Sequence, residues 1–217
     1  MSRFLIVPLA LLLALPVLAD GDISKVNGSV RVEANQTAGD VSTVNGSIRI
    51  EDGARVESAE TVNGSIALTA DVGARELSTV NGSIEVGPRS RIAESVETVN
   101  GRVHLGRGAE VSGAVSNVNG EIRLDAARVG GGIKTVSGNV LVGADSRVDG
   151  GLLVEKPGGW FTSGNSRKPR IVIGPRAVVE GTLEFRREVE LFVSDTAQIG
   201  PIKGANAQAF SGDQPAG

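Results

Sequence analysis

Apolar and polar residues alternate along this chain in short runs, and the runs come back at a fixed interval. In Ser47-Ile48-Arg49-Ile50 the two isoleucines fall on one face of an extended strand, and Ser47 and Arg49 fall on the other. The same alternation stands at Ser29-Val30-Arg31-Val32, Ser83-Ile84-Glu85-Val86 and Glu121-Ile122-Arg123-Leu124. Turn residues separate the strands, as at Glu51-Asp52-Gly53, Asp71-Val72-Gly73 and Gly106-Arg107-Gly108. Each of these strands follows a Val-Asn-Gly corner. The corner asparagines are Asn27, Asn45, Asn63, Asn81, Asn100 and Asn119; the first three intervals are eighteen and the last two nineteen. Ser137 takes the same place one period after Asn119. A fixed period of this size marks a stacked repeat.

A finer period of six runs inside the longer one. Apolar residues recur at Val26, Val32, Ala38, Val44, Ile50 and Val56, and onward through Val154 with two shifts of phase. Three sixes make one rung of the longer period. The pattern predicts an all-β fold: a single-stranded β-helix, or solenoid, with three short strands in each rung of about eighteen positions. The valine of each Val-Asn-Gly is expected to point inward. One rung cannot pair its own backbone groups, but rungs stacked about 4.8 Å apart pair each strand with the next. The corner asparagines are read as a structural ladder. Their side chains can bond to one another along the stack, Asn tolerates a left-handed backbone, and Gly follows where a side chain would crowd.

Residues 1–19 have the form of a secretory signal peptide. Arg3 precedes an apolar run from Phe4 to Leu18, and Val17-Leu18-Ala19 is a small-residue cleavage site. Cleavage leaves a mature chain from Asp20 and places it in the periplasm or at the cell surface, with no transmembrane segment after it. The solenoid domain is expected over residues 20–202, with a loop excursion at 156–170. The hexad rhythm breaks there, at Lys156-Pro157-Gly158-Gly159-Trp160-Phe161, and resumes at Ile173, Val179 and Phe185. The excursion gathers Trp160, Phe161, Arg167, Lys168 and Arg170, which makes it a candidate partner-contact loop. Residues 203–217 are small and polar and are expected to form a disordered tail.

Composition narrows the chemistry. Apolar residues make up 40 % of the chain and aromatics only 3 %, so the core must be aliphatic. The net charge of −3 offers no broad basic surface for nucleic acid. The chain has no cysteine and one histidine, which removes disulfides, thiolate sites and three-histidine metal sites. His104 is the one candidate base, and the alternation turns it outward. Carboxylates scatter through the turns instead of gathering as a catalytic set would. No cofactor, metal or catalytic residue is expected.

The repeated Val-x-Gly-x-Ile units resemble the β-solenoid repeats of a bacterial adhesin family. The segment from Ile171 to Phe185, with Ile171-Val172-Ile173-Gly174-Pro175 and Val178-Val179-Glu180-Gly181-Thr182-Leu183, is similar to the turns of bactofilins, the polymer-forming cytoskeletal proteins. These resemblances imply a non-enzymatic structural or adhesin-like protein. Such a protein meets a protein or an envelope polymer through its faces, or assembles with itself through its ends. The alternative is an envelope protein that binds or modifies polysaccharide.

Overall fold

The computed structural model describes residues 21–158 and 167–215. The expected signal segment and residues Trp160 and Phe161 of the excursion lie outside the described residues. The chain is an all-β solenoid of parallel strands, with no helix among the described residues. One face is a sheet of ten strands, one per rung, running from Val30–Val32 through Ile48–Ile50, Ile66–Leu68 and Ile84–Val86 to Ala207–Phe210. The other two faces belong to one larger sheet. In three early rungs, single nine-residue strands cover both of them: Thr37–Asn45, Arg55–Asn63 and Gly73–Asn81.

A single added residue separates those two faces further along. Ala74 pairs with Ile92, eighteen positions on, but Leu77 pairs with Val96, nineteen positions on. The extra residue lies between Ile92 and Val96. It ends one strand at Arg91–Ile92 and starts the next at Val96–Asn100. The loop excursion leaves the register intact in the same way. Val142 pairs directly with Ile173, thirty-one positions on, so the rungs on either side of the excursion still stack.

The interior is aliphatic. Except for the last, Ala207–Phe210, each strand of the ten-stranded face buries at least two residues, as with Ile48 and Ile50, Ile66 and Leu68, or Val103 and Leu105. Two β-branched or leucine side chains per strand fill a narrow coil without aromatic bulk. Phe185 enters the core only near the far end.

Three expectations are corrected. The valines of Val-Asn-Gly point to solvent: Val26, Val44, Val62, Val80, Val99 and Val118 are 37–67 % exposed. The residue before each of the last five is the buried one, namely Thr43, Thr61, Thr79, Thr98 and Asn117. Alternation along the strand Arg55–Asn63 explains this, since Ala59 and Thr61 point inward and Glu60 and Val62 outward. The left-handed backbone is also at another corner. Asn35, Gly53, Asp71, Arg89, Gly108, Ala126, Asp145 and Arg176 have φ between 46° and 71°, one in each of eight rungs, whereas the asparagines of the ladder do not. Finally, the stack does not stop at residue 202. Ile202–Lys203 pairs with Leu183–Phe185, and Ala207–Phe210 pairs with Glu190–Ser194. The exposed edge of Glu190–Ser194 supplies the partner that a short polar segment lacks by itself.

Candidate functional site

The asparagine corner is built from four neighbouring columns. Each ladder asparagine after Asn27 donates its Nδ2–H to the Oδ1 of the one a rung earlier, at 3.0–3.1 Å; the series begins with Asn45 on Asn27 and ends with Asn119 on Asn100. The following glycine lets the rungs close up. A Cβ on Gly46, Gly64, Gly82 or Gly101 would overlap the backbone carbonyl of the glycine one rung earlier. Those carbonyls accept from the threonines inside: Thr43, Thr61, Thr79 and Thr98 donate Oγ1–H to the oxygens of Gly28, Gly46, Gly64 and Gly82 at 3.0–3.1 Å. Outside stands the row of exposed valines. At these four threonines the corner is thus satisfied within, and it presents an apolar line beside a line of amides.

Charges elsewhere on the rod are paired from rung to rung. Arg89 grips Asp71 through two bonds of 2.6 and 2.8 Å, and Arg176 grips Asp145 through two of 2.7 Å. Both pairs sit at the left-handed corner. The arginine bond holds each carboxyl below its ordinary range. Arg128 does the same for Asp149, and Arg49 for Glu51. His104 stands on the outward face, with Nε2 at 2.8 Å from Asp125 and Nδ1 at 4.0 Å from Glu85. Arg123 also binds Asp125, through Nε at 3.1 Å.

The described basic residues of the loop differ in their surroundings. Arg167 is exposed. Lys168 is paired with Glu188 at 2.9 Å, which raises its pKa. Arg170 begins a strand, and its guanidinium lies 4.7 Å from the ring centre of Phe192.

Arg170 also lines a feature that the sequence reading missed, a groove of about 410 Å³ on the ten-stranded face. Leu141 and Val172, paired neighbours on that face, are among its apolar lining residues. Arg123, Asn139 and Arg170 contribute on the sheet side, and the C-terminal segment Asp213, Gln214 and Pro215 on the other. The sequence carried a signal for it. Leu141, Val172 and Phe192 occupy the outward row that holds Arg31, Arg49, Glu85, His104 and Arg123 in earlier rungs. Apolar residues at solvent-side positions of a strand mark a surface that is more than solvated.

Among the described residues, no group of three or more His, Asp or Glu is placed to hold a metal ion. Among them, too, no helix is long and apolar enough to cross a membrane. No family model, curated protein or solved structure matches the chain.

Proposed function

We propose that this protein is an exported, non-enzymatic interaction rod of the bacterial cell envelope. It is structural or adhesin-like, and it meets partners through its lateral faces. The observation that carries this reading is the row of exposed valines beside the asparagine ladder, one in each of six successive rungs. A repeated line of identical contacts suits an extended partner, because each rung adds the same small contribution. The leader-like residues 1–19 support export.

The test uses the absence of cysteine from the chain. Single cysteines replace Val62 in the row and, as a control, Arg89 at the far corner. Cells expressing each full-length variant are fractionated and treated with a thiol crosslinker. The reading expects the protein in the envelope fraction, with adducts from the Val62 position and none from the Arg89 position. Retention in the cytoplasm, or equal crosslinking from both positions, refutes it.

A second reading, a polysaccharide-binding β-helix, is favoured by a different observation, the groove over Leu141 and Val172.

A further inference from the structure

We infer that the groove between the ten-stranded face and residues 213–215 is a binding site for a short segment of uncharged oligosaccharide. This inference rests on the second reading above and gives it a site and a ligand class. Its volume of about 410 Å³ lies within the range of small-ligand clefts. Leu141 and Val172 offer an apolar patch of the kind against which the C–H face of a pyranose ring is removed from water. Around that patch stand side chains with further hydrogen-bonding capacity. Arg123 donates through its Nε to Asp125, and its guanidinium carries more donors than that bond uses. The Arg170 guanidinium makes the ring contact with Phe192, while its backbone N–H is held by Asn139 Oδ1 at 2.9 Å. Asn139 is exposed, and that bond uses its amide oxygen and not its Nδ2–H donors. Asp213 and Gln214 add acceptors on the opposite side.

The mixture decides the ligand class. Sugar hydroxyls both donate and accept, so they are matched by amides, guanidinium groups and carboxylates set close together. The charged lining residues are Arg123 and Arg170 against Glu121, Asp125 and Asp213, which is close to neutral and slightly acidic. A polyanion would gain little there. A peptide entering as an added strand has no place to pair. The two strands beneath the groove, Asn139–Val142 and Arg170–Ile173, are each bonded on both sides.

The test is titration of the purified full chain with chitohexaose and cellohexaose, followed by calorimetry and by amide shifts in NMR spectra. An oligogalacturonate and an unstructured decapeptide serve as competing probes. The inference expects saturable binding of at least one neutral hexasaccharide, with shifts centred on residues 139–143 and 170–175. It expects Arg170→Ala and Leu141→Ser to weaken that binding at least tenfold, with unchanged melting, and Arg89→Ala to leave it intact. If Leu141→Ser fails to fold, Arg170→Ala and truncation after Phe210 carry the test. No binding of either neutral sugar, tighter binding of the anionic sugar or the peptide, or equal affinity in Arg170→Ala overturns it. These outcomes are read on purified protein, so they are separate from the fractionation and crosslinking test of the envelope role.

Discussion

Replacing Asn117 with threonine is expected to make the rod more stable. Asn117 pairs in register with Thr98 and takes the inward place that Thr43, Thr61, Thr79 and Thr98 hold in earlier rungs. It is 3 % exposed, and neither its Nδ2 nor its Oδ1 has a hydrogen-bond partner. The amide fits only because position 138 is glycine; a Cβ there would stand 2.7–2.8 Å from both amide atoms. An unsatisfied buried polar group costs about 1–3 kcal/mol. Threonine is of similar size, is β-branched as strands favour, and would donate to the Gly101 carbonyl as Thr98 does to Gly82 at 3.1 Å. The net gain is on the order of 2 kcal/mol, or roughly 4–8 °C in Tm for a domain of this size. Urea denaturation followed by far-UV circular dichroism measures it, as a raised midpoint at constant slope. An unchanged or lowered midpoint would refute the reasoning, because it would show that Asn117 is satisfied, for instance by a buried water between the rungs.

The corrected phase of the valine row gives a paired prediction: Thr61→Val leaves the Gly46 carbonyl without its partner and costs about 1–3 kcal/mol, while Val62→Ser stays within about 0.5 kcal/mol. Equal effects in thermal melts would contradict the inward threonine. Gly64→Ala forces its Cβ onto the Gly46 carbonyl and is expected to cost about 2–3 kcal/mol, read in the same melts; a neutral result would mean that the rungs are not so closely stacked. Acid destabilises the rod. The carboxyls of Asp71, Asp145, Asp149 and Glu51 titrate lower in the folded chain than when unfolded, so their contribution is complete above the unfolded pKa and disappears as pH falls from about 5 toward 2. Tm measured from about pH 7 down to about pH 2.5 is expected to drop across that window, and salt at about 1 M is expected to shrink the drop because the Asp71–Arg89 and Asp145–Arg176 pairs are exposed. A flat profile would mean that the arginine pairs are idle.

The sequence alone determined the stacked architecture, because so regular a period leaves each rung's backbone groups to be paired only by the next rung. It also determined the buried pairs such as Ile48 and Ile50, where strict alternation separates core from solvent. The crowding at the glycine of Val-Asn-Gly followed from repetition as well. Tertiary structure decided the rest. Whether Thr61 or Val62 faces the axis depends on where the chain bends, and a hexad count assumes equal steps where the real spacing of inward residues varies. The left-handed corner carries Asn35, Gly53, Asp71, Arg89, Gly108, Ala126, Asp145 and Arg176. Asn, Asp and Gly adopt that conformation readily, but Arg89, Ala126 and Arg176 do not, and there the stacking of rungs that must all turn at the same place imposes it. The strand Ala207–Phe210 exists because Glu190–Ser194 offers an edge to pair with. The groove forms because residues 213–215 lie across the sheet from Leu141 and Val172, which are far away along the chain. Local pattern is legible wherever a residue's neighbours in space are also its neighbours by period. It is silent where distant segments meet.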